Sequence, residues 1–341
     1  MDSDVLDEAL DHLADRGPIF RGFLTNHGPM AAEALIRLER EREVMPFLAG
    51  YRLFLEDRPP LNGRVDPQRW QDMLGRRDQF AAWQQFFENE LAEHPWPDVL
   101  DTWTYRLAPG LWGELLHGLI RTGHAARALA ARETPLRFRE LAEGLALWAS
   151  WYETLPETPG SAGRLSPGAA FAGLPVLPRD QQGIRPLMDD PHSVPGFEAA
   201  AGLLDVEAPL ASLPELTATY AALYVANSGL PGNNPIYLIH AVTGPSAVRL
   251  LAPHVSAGTT RSLLRYAWQS AAKINASWSF DRSLAPVESP LFRREDVIDQ
   301  AVASRDEHAM KLVEACLREH ALNPQPAYLA AASDVVIRLR N

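Results

Sequence analysis

Four histidines of this chain lie in sequence contexts that are typical of buried metal ligands. His117 and His240 are flanked by leucine, isoleucine and valine, and His27 lies just before a helix-starting Gly-Pro pair. His308 comes one helical turn before Lys311. An imidazole buried among apolar side chains without a partner costs free energy, whereas a ligated one is satisfied. The four imidazoles are therefore candidate ligands that four helices of a bundle would bring together.

The same histidines are also compatible with a structural role. A single histidine on an apolar helix face is more often a satisfied core or interface residue than a ligand. His117 and His124 lie about 10.5 Å apart along a helix, so the two residues are too far apart to bind the same ion. Lys311 has Glu307 and Glu314 within one turn, and such a surface salt bridge contributes only about 0.2–0.5 kcal/mol. On spacing alone, a metal site and a set of core histidines both stay open.

Lysine is rare in this sequence, which draws attention to the two positions where it occurs. Of the 32 basic residues only Lys273 and Lys311 are lysine, and the others are arginine. A lysine amine can lose its proton and react, whereas a guanidinium stays protonated in a protein. Each lysine is therefore a candidate for a site that needs an amine.

Composition restricts the class of protein. The chain has 341 residues, 46% of them hydrophobic and 22% charged, which is typical of a soluble globular protein. Its net charge of -11 repels phosphate backbones, so no nucleic-acid partner is expected. No run approaches the roughly 18–20 apolar residues of a membrane helix, and the N-terminal residues do not resemble a secretion signal. We therefore expect a cytoplasmic protein with no membrane partner.

Common catalytic and cofactor motifs are missing from the sequence. The single cysteine, Cys316, excludes an internal disulfide and any cysteine cage for zinc or an iron–sulfur cluster. The patterns G-x-G-x-x-G, G-x-x-x-x-G-K-[ST], H-E-x-x-H and G-x-S-x-G do not occur. Histidine chemistry is what remains.

The elements that would position these residues are predicted to be helices. Apolar residues recur at intervals of three and four, and no long alternating run indicates a sheet. The fold is therefore predicted to be mainly α, a single large multi-helix bundle over residues 1–341. The helical segments predicted from periodicity are 29–38, 65–91, 107–131, 136–155, 213–226, 236–251, 259–278 and 297–320.

Prolines are concentrated in one central segment. Eight of them lie between Glu153 and Pro195, which precludes a long helix there. The segment also carries apolar residues such as Leu165 and Phe171, which a solvated linker would lack. We therefore expect residues 154–195 to form an ordered loop or lid that joins two helical halves.

At the histidines the sequence resembles a known family. The likeness lies in four stretches that follow in the same order, and it extends from about Phe20 to the region of Tyr328. The chain resembles the questin oxidase family, whose known members oxidatively open anthraquinone-type rings in fungal aromatic polyketide pathways. The four stretches are Asn26–Ala31, His117–His124, Ile239–Gly244 and Asp306–Lys311.

The resemblance implies a mononuclear non-haem iron centre with four histidines and a carboxylated lysine. By position, the imidazole ligands would be His27, His117, His240 and His308. Lys311 would carry the carbamate derived from carbon dioxide, and His124 is the alternative to His117. The chain departs from the fungal pattern in being shorter and in having Arg121 where a further histidine often occurs.

The implied cofactors are Fe(II) and dioxygen, and the implied substrate is a small anthraquinone- or hydroquinone-like aromatic compound. His124, Arg121 and Tyr237 are the polar groups predicted to help ionise it. The candidate substrate-binding aromatics are Trp148, Trp151, Tyr152 and Trp268. Large aromatics also dominate protein cores, so most of the aromatic residues considered are better explained by packing than by a pocket. Further aromatic candidates are Trp103, Tyr105 and Trp278.

Two other functions remain open from the sequence. One is a metal-free oxidase of the Baeyer–Villiger type that uses NADPH, which the missing G-x-G-x-x-G disfavours. The other is a non-catalytic helical module that binds a hydrophobic ligand. A homo-oligomer is open in either case.

Overall fold

The computed structural model describes residues 4–156, 163–178, 194–278, 281 and 293–340. Within these residues it contains 15 α-helices and a small sheet of three strands. The prediction of a mainly α fold is therefore confirmed. Among the same residues, no helix is both long and apolar enough to cross a membrane.

The chain divides into two compact units, of which the first comprises Met1–Thr154 and Leu250–Thr260. The elements of this unit up to Ser150 are α1 (Asp4–His12), β1 (Arg16–Phe20), β2 (Leu24–Thr25), α2 (Gly28–Arg37), α3 (Val44–Tyr51), β3 (Leu55–Asp57), α4 (Phe80–Glu93), α5 (Trp96–Leu107), α6 (His117–Ala131) and α7 (Pro135–Ser150). The three strands form an antiparallel sheet in the order β2-β1-β3, with Phe20 opposite both Leu24 and Leu55.

Helix α7 is the centre of the first unit, where it packs along both α4 and α6. Two glycines allow the backbones of α6 and α7 to approach closely. A Cβ atom at Gly118 would lie 2.6 Å from the Cβ of Trp148, and one at Gly144 would lie 3.0 Å from the Oγ1 of Thr122. The start of α6, where His117 lies, is thereby packed directly against α7.

The second unit comprises Leu155–Arg249 and Arg261–Asn341. The helices from Pro167 onwards are α8 (Pro167–Ala172), α9 (Phe197–Ala201), α10 (Pro209–Ser228), α11 (Pro235–Leu251), α12 (Ala257–Trp278), α13 (Arg294–Ser304), α14 (Glu307–Leu322) and α15 (Pro326–Arg338). The core of this unit is built where α14 and α10 pack against α15, with α13 beside α14.

Three predicted helices differ from the structure because the backbone breaks inside them. The segment 65–91 is α-helical only from Phe80, after a left-handed Gly75 and two short 3-10 turns. The segment 107–131 becomes α-helical only at His117. The segment 297–320 is two helices, because Arg305 has a φ of 53° and Asp306 caps a new helix.

The proline-rich segment is described only in part, since 157–162 and 179–193 lie outside the described residues. Its described middle, 163–178, contains the six-residue helix α8. Phe171 and Leu174 are buried there, and the N–H of Leu177 donates to the carbonyl of Ala276 at 3.1 Å. The lid function of residues 154–195 stays a prediction.

Candidate metal centre

His27 is held by its backbone at the start of α2. Its N–H donates to the hydroxyl of Tyr51 at 2.8 Å. The neighbouring Asn26 bridges two main-chain groups, because its Oδ1 accepts from the N–H of Gly28 at 2.9 Å and its Nδ2 donates to the carbonyl of Gly17 at 3.0 Å. The backbone on which the His27 ring is mounted is therefore fixed by side chains as well as by the helix.

His117 follows an unusual backbone turn. The three residues before it, Glu114, Leu115 and Leu116, have φ values of 49°, 52° and 67°. The left-handed region costs an L-residue other than glycine roughly 1–2 kcal/mol, and asparagine or aspartate would be the usual exceptions. The turn brings the carbonyl of Glu114 to the Nδ1 of His117. Because a carbonyl only accepts, Nδ1 carries the proton and Nε2 presents a lone pair.

The rings of His27 and His117 are nearly coplanar and meet edge to edge, with their Nε2 atoms 2.5 Å apart. The ring centroids are 4.6 Å apart, and both residues are buried, with 2% and 6% of their surface exposed. Two nitrogen lone pairs repel at this distance, so a proton or a cation must lie between them. Two nitrogens bound to one ion at about 2.1 Å lie about 3 Å apart when their bonds are perpendicular.

His240 and His308 form a second imidazole pair, on α11 and α14. Their centroids are 5.5 Å apart and the rings meet edge to face, with 1% and 5% of the residues exposed. The Nδ1 of His240 donates to the carbonyl of Ile236 at 2.7 Å, which leaves its Nε2 as the lone-pair nitrogen. Neutral imidazoles of this kind are good ligands for Fe(II) and other first-row metals. The imidazole nitrogens of these histidines are therefore chemically suited to bind such a metal ion.

Carboxylates surround the ring of His308. Asp306 caps α14 through Oδ1, and the same atom lies 3.5 Å from the Nδ1 of His308. Burial opposes ionisation of Asp306, but its hydrogen bonds with His308 and Ala309 lower the pKa of this carboxyl below its ordinary value. The Oε1 of Glu307 lies 3.7 Å from the same Nδ1. Both carboxylates can orient the ring, as outer-shell acceptors commonly do at metal sites.

Lys311 lies one turn after His308 and is only 2% exposed. Burial lowers the pKa of its amine to about 8, although Glu307 and Asp306 act in the opposite direction. A lowered pKa increases the fraction of neutral amine, which is the form that reacts with carbon dioxide. The surface salt bridge considered from the sequence does not describe this environment, since the side chain is buried.

His124 and Arg121 both take part in buried ion-pair networks. The Nδ1 of His124 lies 2.8 Å from Glu33, which also pairs with Arg127 and Arg37. Burial would raise the pKa of Glu33, but Arg127 and His124 hold it well below its usual range. The catalytic roles predicted for His124 and Arg121 stay predictions.

Arg121 makes two hydrogen bonds to Glu140, at 2.7 and 2.8 Å, and one to Glu143 at 2.7 Å. Burial disfavours the charged guanidinium, yet the two carboxylates raise the pKa of Arg121 above its ordinary value. Arg121 therefore stays charged and is unsuited to release a proton.

Tyr237 lies one turn before His240 on α11, so the two residues share a helix face. Its ring stacks on Trp278 with centroids 4.9 Å apart, and it is half-buried. Burial raises the pKa of the Tyr237 hydroxyl, which is therefore a hydrogen-bond donor at neutral pH.

The aromatic candidates occupy different environments. Trp148, Trp151 and Trp268 are buried, Tyr152 is half-buried, and Tyr105 is exposed. The Nε1 of Trp268 donates to the carbonyl of Ala201 at 2.8 Å. The Nε1 of Trp148 has no hydrogen-bond partner among the described residues, so it is the more available donor.

Three residues of this region are not among the predicted site residues. They are Tyr51, which fixes the backbone of His27, and Glu114 and Asp306, which contact His117 and His308. Asp306 carries a readable signal, because an aspartate before a helical segment is a typical N-cap. Tyr51 and Glu114 carry none, because their contacts depend on a distant pairing and on a left-handed turn.

A comparison with protein families bears on the part of the chain that includes His117. Residues 42–173 match the model of the questin oxidase-like family. The resemblance predicted from the sequence is thereby confirmed for this part, which is less than half of the chain. The matched segment contains Arg121, His124 and the aromatic residues of α7. His27, His240, His308 and Lys311 lie outside it. No curated protein matches the chain.

Proposed function

We propose that this protein is a non-haem iron oxygenase that oxidises or cleaves an anthraquinone- or hydroquinone-like aromatic ring with dioxygen. The observation that carries the proposal is the His27–His117 pair, whose Nε2 atoms face each other at 2.5 Å in a buried environment. The match of residues 42–173 to the questin oxidase-like family supports the reaction class.

In this proposal one ferrous ion is bound by His27, His117, His240 and His308, with a carbamate on Lys311 as the anionic ligand. When bound, the iron would supply the one-electron chemistry that lets dioxygen react with a closed-shell aromatic ring. The chain's contribution is to fix the tautomers. The carbonyls of Glu114 and Ile236 accept from the Nδ1 atoms of His117 and His240, which leaves both Nε2 atoms as ligands.

The substrate in this proposal is a phenol or hydroquinone held by aromatic side chains. Tyr237 is the polar group best suited to orient it, because the residue is half-buried and shares a face with His240. The charged networks of Arg121 and His124 would act from a distance, by favouring the negative charge of an ionised phenol. Trp148, Trp151, Tyr152 and Trp268 are the proposed apolar contacts.

Metal analysis tests the proposal directly. Protein purified without a histidine tag and supplied with ferrous iron is expected to contain one iron per chain by mass spectrometry. His27→Ala and His240→Ala should each lose most of it, while His94→Ala, which changes an exposed histidine, should retain it. Iron-free protein after this treatment would overturn the proposal. Two ions per chain would overturn the single four-histidine site.

A further inference from the structure

We infer that Glu114 is a positioning residue that fixes both the tautomer of His117 and its distance from His27. The inference rests on the proposed function and extends it to a residue that binds neither metal nor substrate. Glu114 makes two separate contacts, one through its main-chain carbonyl and one through its side-chain carboxylate.

The two contacts reach the two segments that carry the imidazoles. The carbonyl of Glu114 accepts from the Nδ1 of His117. Its carboxylate accepts a long hydrogen bond, 3.5 Å, from the hydroxyl of Thr25, which lies in β2 two residues before His27. A single residue thus connects the strand that leads to one ring with the turn that leads to the other.

The turn that makes this possible is disfavoured by its own residues. Glu114, Leu115 and Leu116 are all left-handed, and none of them is glycine. Such conformations persist only where surrounding structure holds them, and they are concentrated at functional sites. In this turn the N–H groups of Leu115 and Leu116 donate to the carbonyls of Trp112 and Leu111, at 3.0 and 3.2 Å.

Packing against the end of α7 further restricts the turn. A Cβ atom at Gly113 would lie 1.6 Å from the carbonyl oxygen of Trp151, so only glycine allows the segment to lie this close. The carboxylate of Glu114 is held on its outer side by Arg77, whose Nη2 lies 3.2 Å from Oε1. With its carboxylate anchored, Glu114 cannot relax to a right-handed conformation without breaking these contacts.

Three substitutions separate the side chain from the backbone strain. Glu114→Ala removes the carboxylate and keeps the penalty for a left-handed residue, so the turn should relax. Glu114→Gly removes the carboxylate but allows the left-handed conformation freely. Glu114→Gln keeps an acceptor for Thr25. Glu153→Gln is the matched control, because Glu153 also faces Arg77, and no contact of it with Thr25 or His117 is found among the described residues.

Cobalt(II) is the probe, because its visible spectrum reports both binding and coordination geometry. Metal-free full-length protein is titrated with cobalt alone, and outer-shell substitutions at metal sites typically weaken affinity by about 10- to 100-fold. We expect Glu114→Ala to weaken binding by this factor and to alter the spectrum. Glu114→Gly should be intermediate, and Glu114→Gln and Glu153→Gln should bind within about threefold of the parent. Parent-like binding by Glu114→Ala would overturn the inference.

A second readout does not need the metal. In metal-free protein labelled with ¹⁵N-histidine, the nitrogen shifts of His117, identified by their loss in His117→Gln, report which nitrogen is protonated. The parent and Glu153→Gln should show the Nδ1–H form, and Glu114→Ala a mixture of both forms. If the parent binds no cobalt, the proposed function fails. The nitrogen spectrum of the metal-free protein then decides by itself whether Glu114 fixes the tautomer of His117. An unchanged His117 tautomer in a folded Glu114→Ala would contradict it.

Discussion

The carboxylate of Asp306 both begins helix α14 and faces the ring of His308. Its Oδ1 accepts from the N–H of His308 at 2.8 Å, and the same atom lies 3.5 Å from the Nδ1 of that residue. One side chain therefore couples the stability of a helix end to the orientation of a proposed ligand.

Substitution of Asp306 should separate these two effects. Asparagine retains the cap, so Asp306→Asn should leave the free energy of unfolding nearly unchanged but reduce iron content, because the ring loses a charged acceptor. Asp306→Ala should lower the free energy of unfolding by about 1 kcal/mol as well. Urea denaturation and metal analysis of the same samples measure both. If both Asp306→Asn and Asp306→Ala have the same iron content as the parent, the carboxylate stabilises the helix end and does not affect metal binding.

Arg121 should prove essential to stability. It is the buried cation between Glu140 and Glu143, so Arg121→Ala leaves the buried Glu140 without its main partner, while Glu143 keeps Arg58 and Arg139. We expect the free energy of unfolding to fall by about 3–5 kcal/mol. Arg69→Ala, which removes an exposed pair with Asp72, should change it little. A stable but inactive Arg121→Ala would instead favour the catalytic role predicted from the sequence.

Acid stability should depend on Glu33. Its pKa in the folded protein is held below the ordinary 4.5 by Arg127 and His124 despite its burial. The unfolded chain therefore binds the proton more readily, and the stabilisation is present above pH 4.5 and lost as the pH falls below it. Stability measured from pH 7 downwards should decline less steeply in Glu33→Gln than in the parent. The exposed Glu56→Gln serves as control, and an identical slope in Glu33→Gln and the parent would refute the prediction.

The proposed carbamate can be detected by its carbon atom. Protein equilibrated with ¹³C-bicarbonate should show a carbamate resonance that disappears in Lys311→Ala. Lys273→Ala is the matched control, since Lys273 is also buried and is the chain's other lysine. Loss of the signal in Lys273→Ala but not in Lys311→Ala would reassign the carbamate.

The hydroxyl of Tyr237 should affect turnover more than structure. Tyr237→Phe keeps the stacking on Trp278, so iron content and melting temperature should match the parent. If the hydroxyl transfers or holds a proton of the substrate, kcat should fall by about 10²- to 10⁴-fold. Dioxygen uptake with a panel of polycyclic phenols measures this effect. Tyr105→Phe, at an exposed tyrosine, should leave uptake unchanged.

The sequence predicted features that depend on local pattern. Apolar periodicity located most helices, because a helix face repeats every three or four residues. The apolar surroundings of His117 and His240 indicated burial, which the structure has. The cap at Asp306 was missed, because the predicted helix 297–320 runs through it, although aspartate is a typical N-cap residue. Such signals lie within a few residues of the feature that they predict.

Other features depend on partners distant in sequence and were missed. The three strands contain only two to five residues each, too few for an alternating pattern to emerge. The left-handed turn before His117 contains glutamate and two leucines, which give no sign of a positive φ. The buried partners of Arg121 and His124 lie 19 to 91 residues away. The sequence therefore indicates which residues are buried better than it indicates their contacts.

Gly118 directly follows His117, and its missing side chain lets the first turn of α6 rest on Trp148. Any larger residue would push that turn away from α7 and carry the imidazole with it. Divergent descendants of this protein would thus have little freedom to shift His117 by repacking these helices. Under the proposed function, changes in substrate preference would then fall on the aromatic positions beyond the end of α7, while the ring itself stays in place.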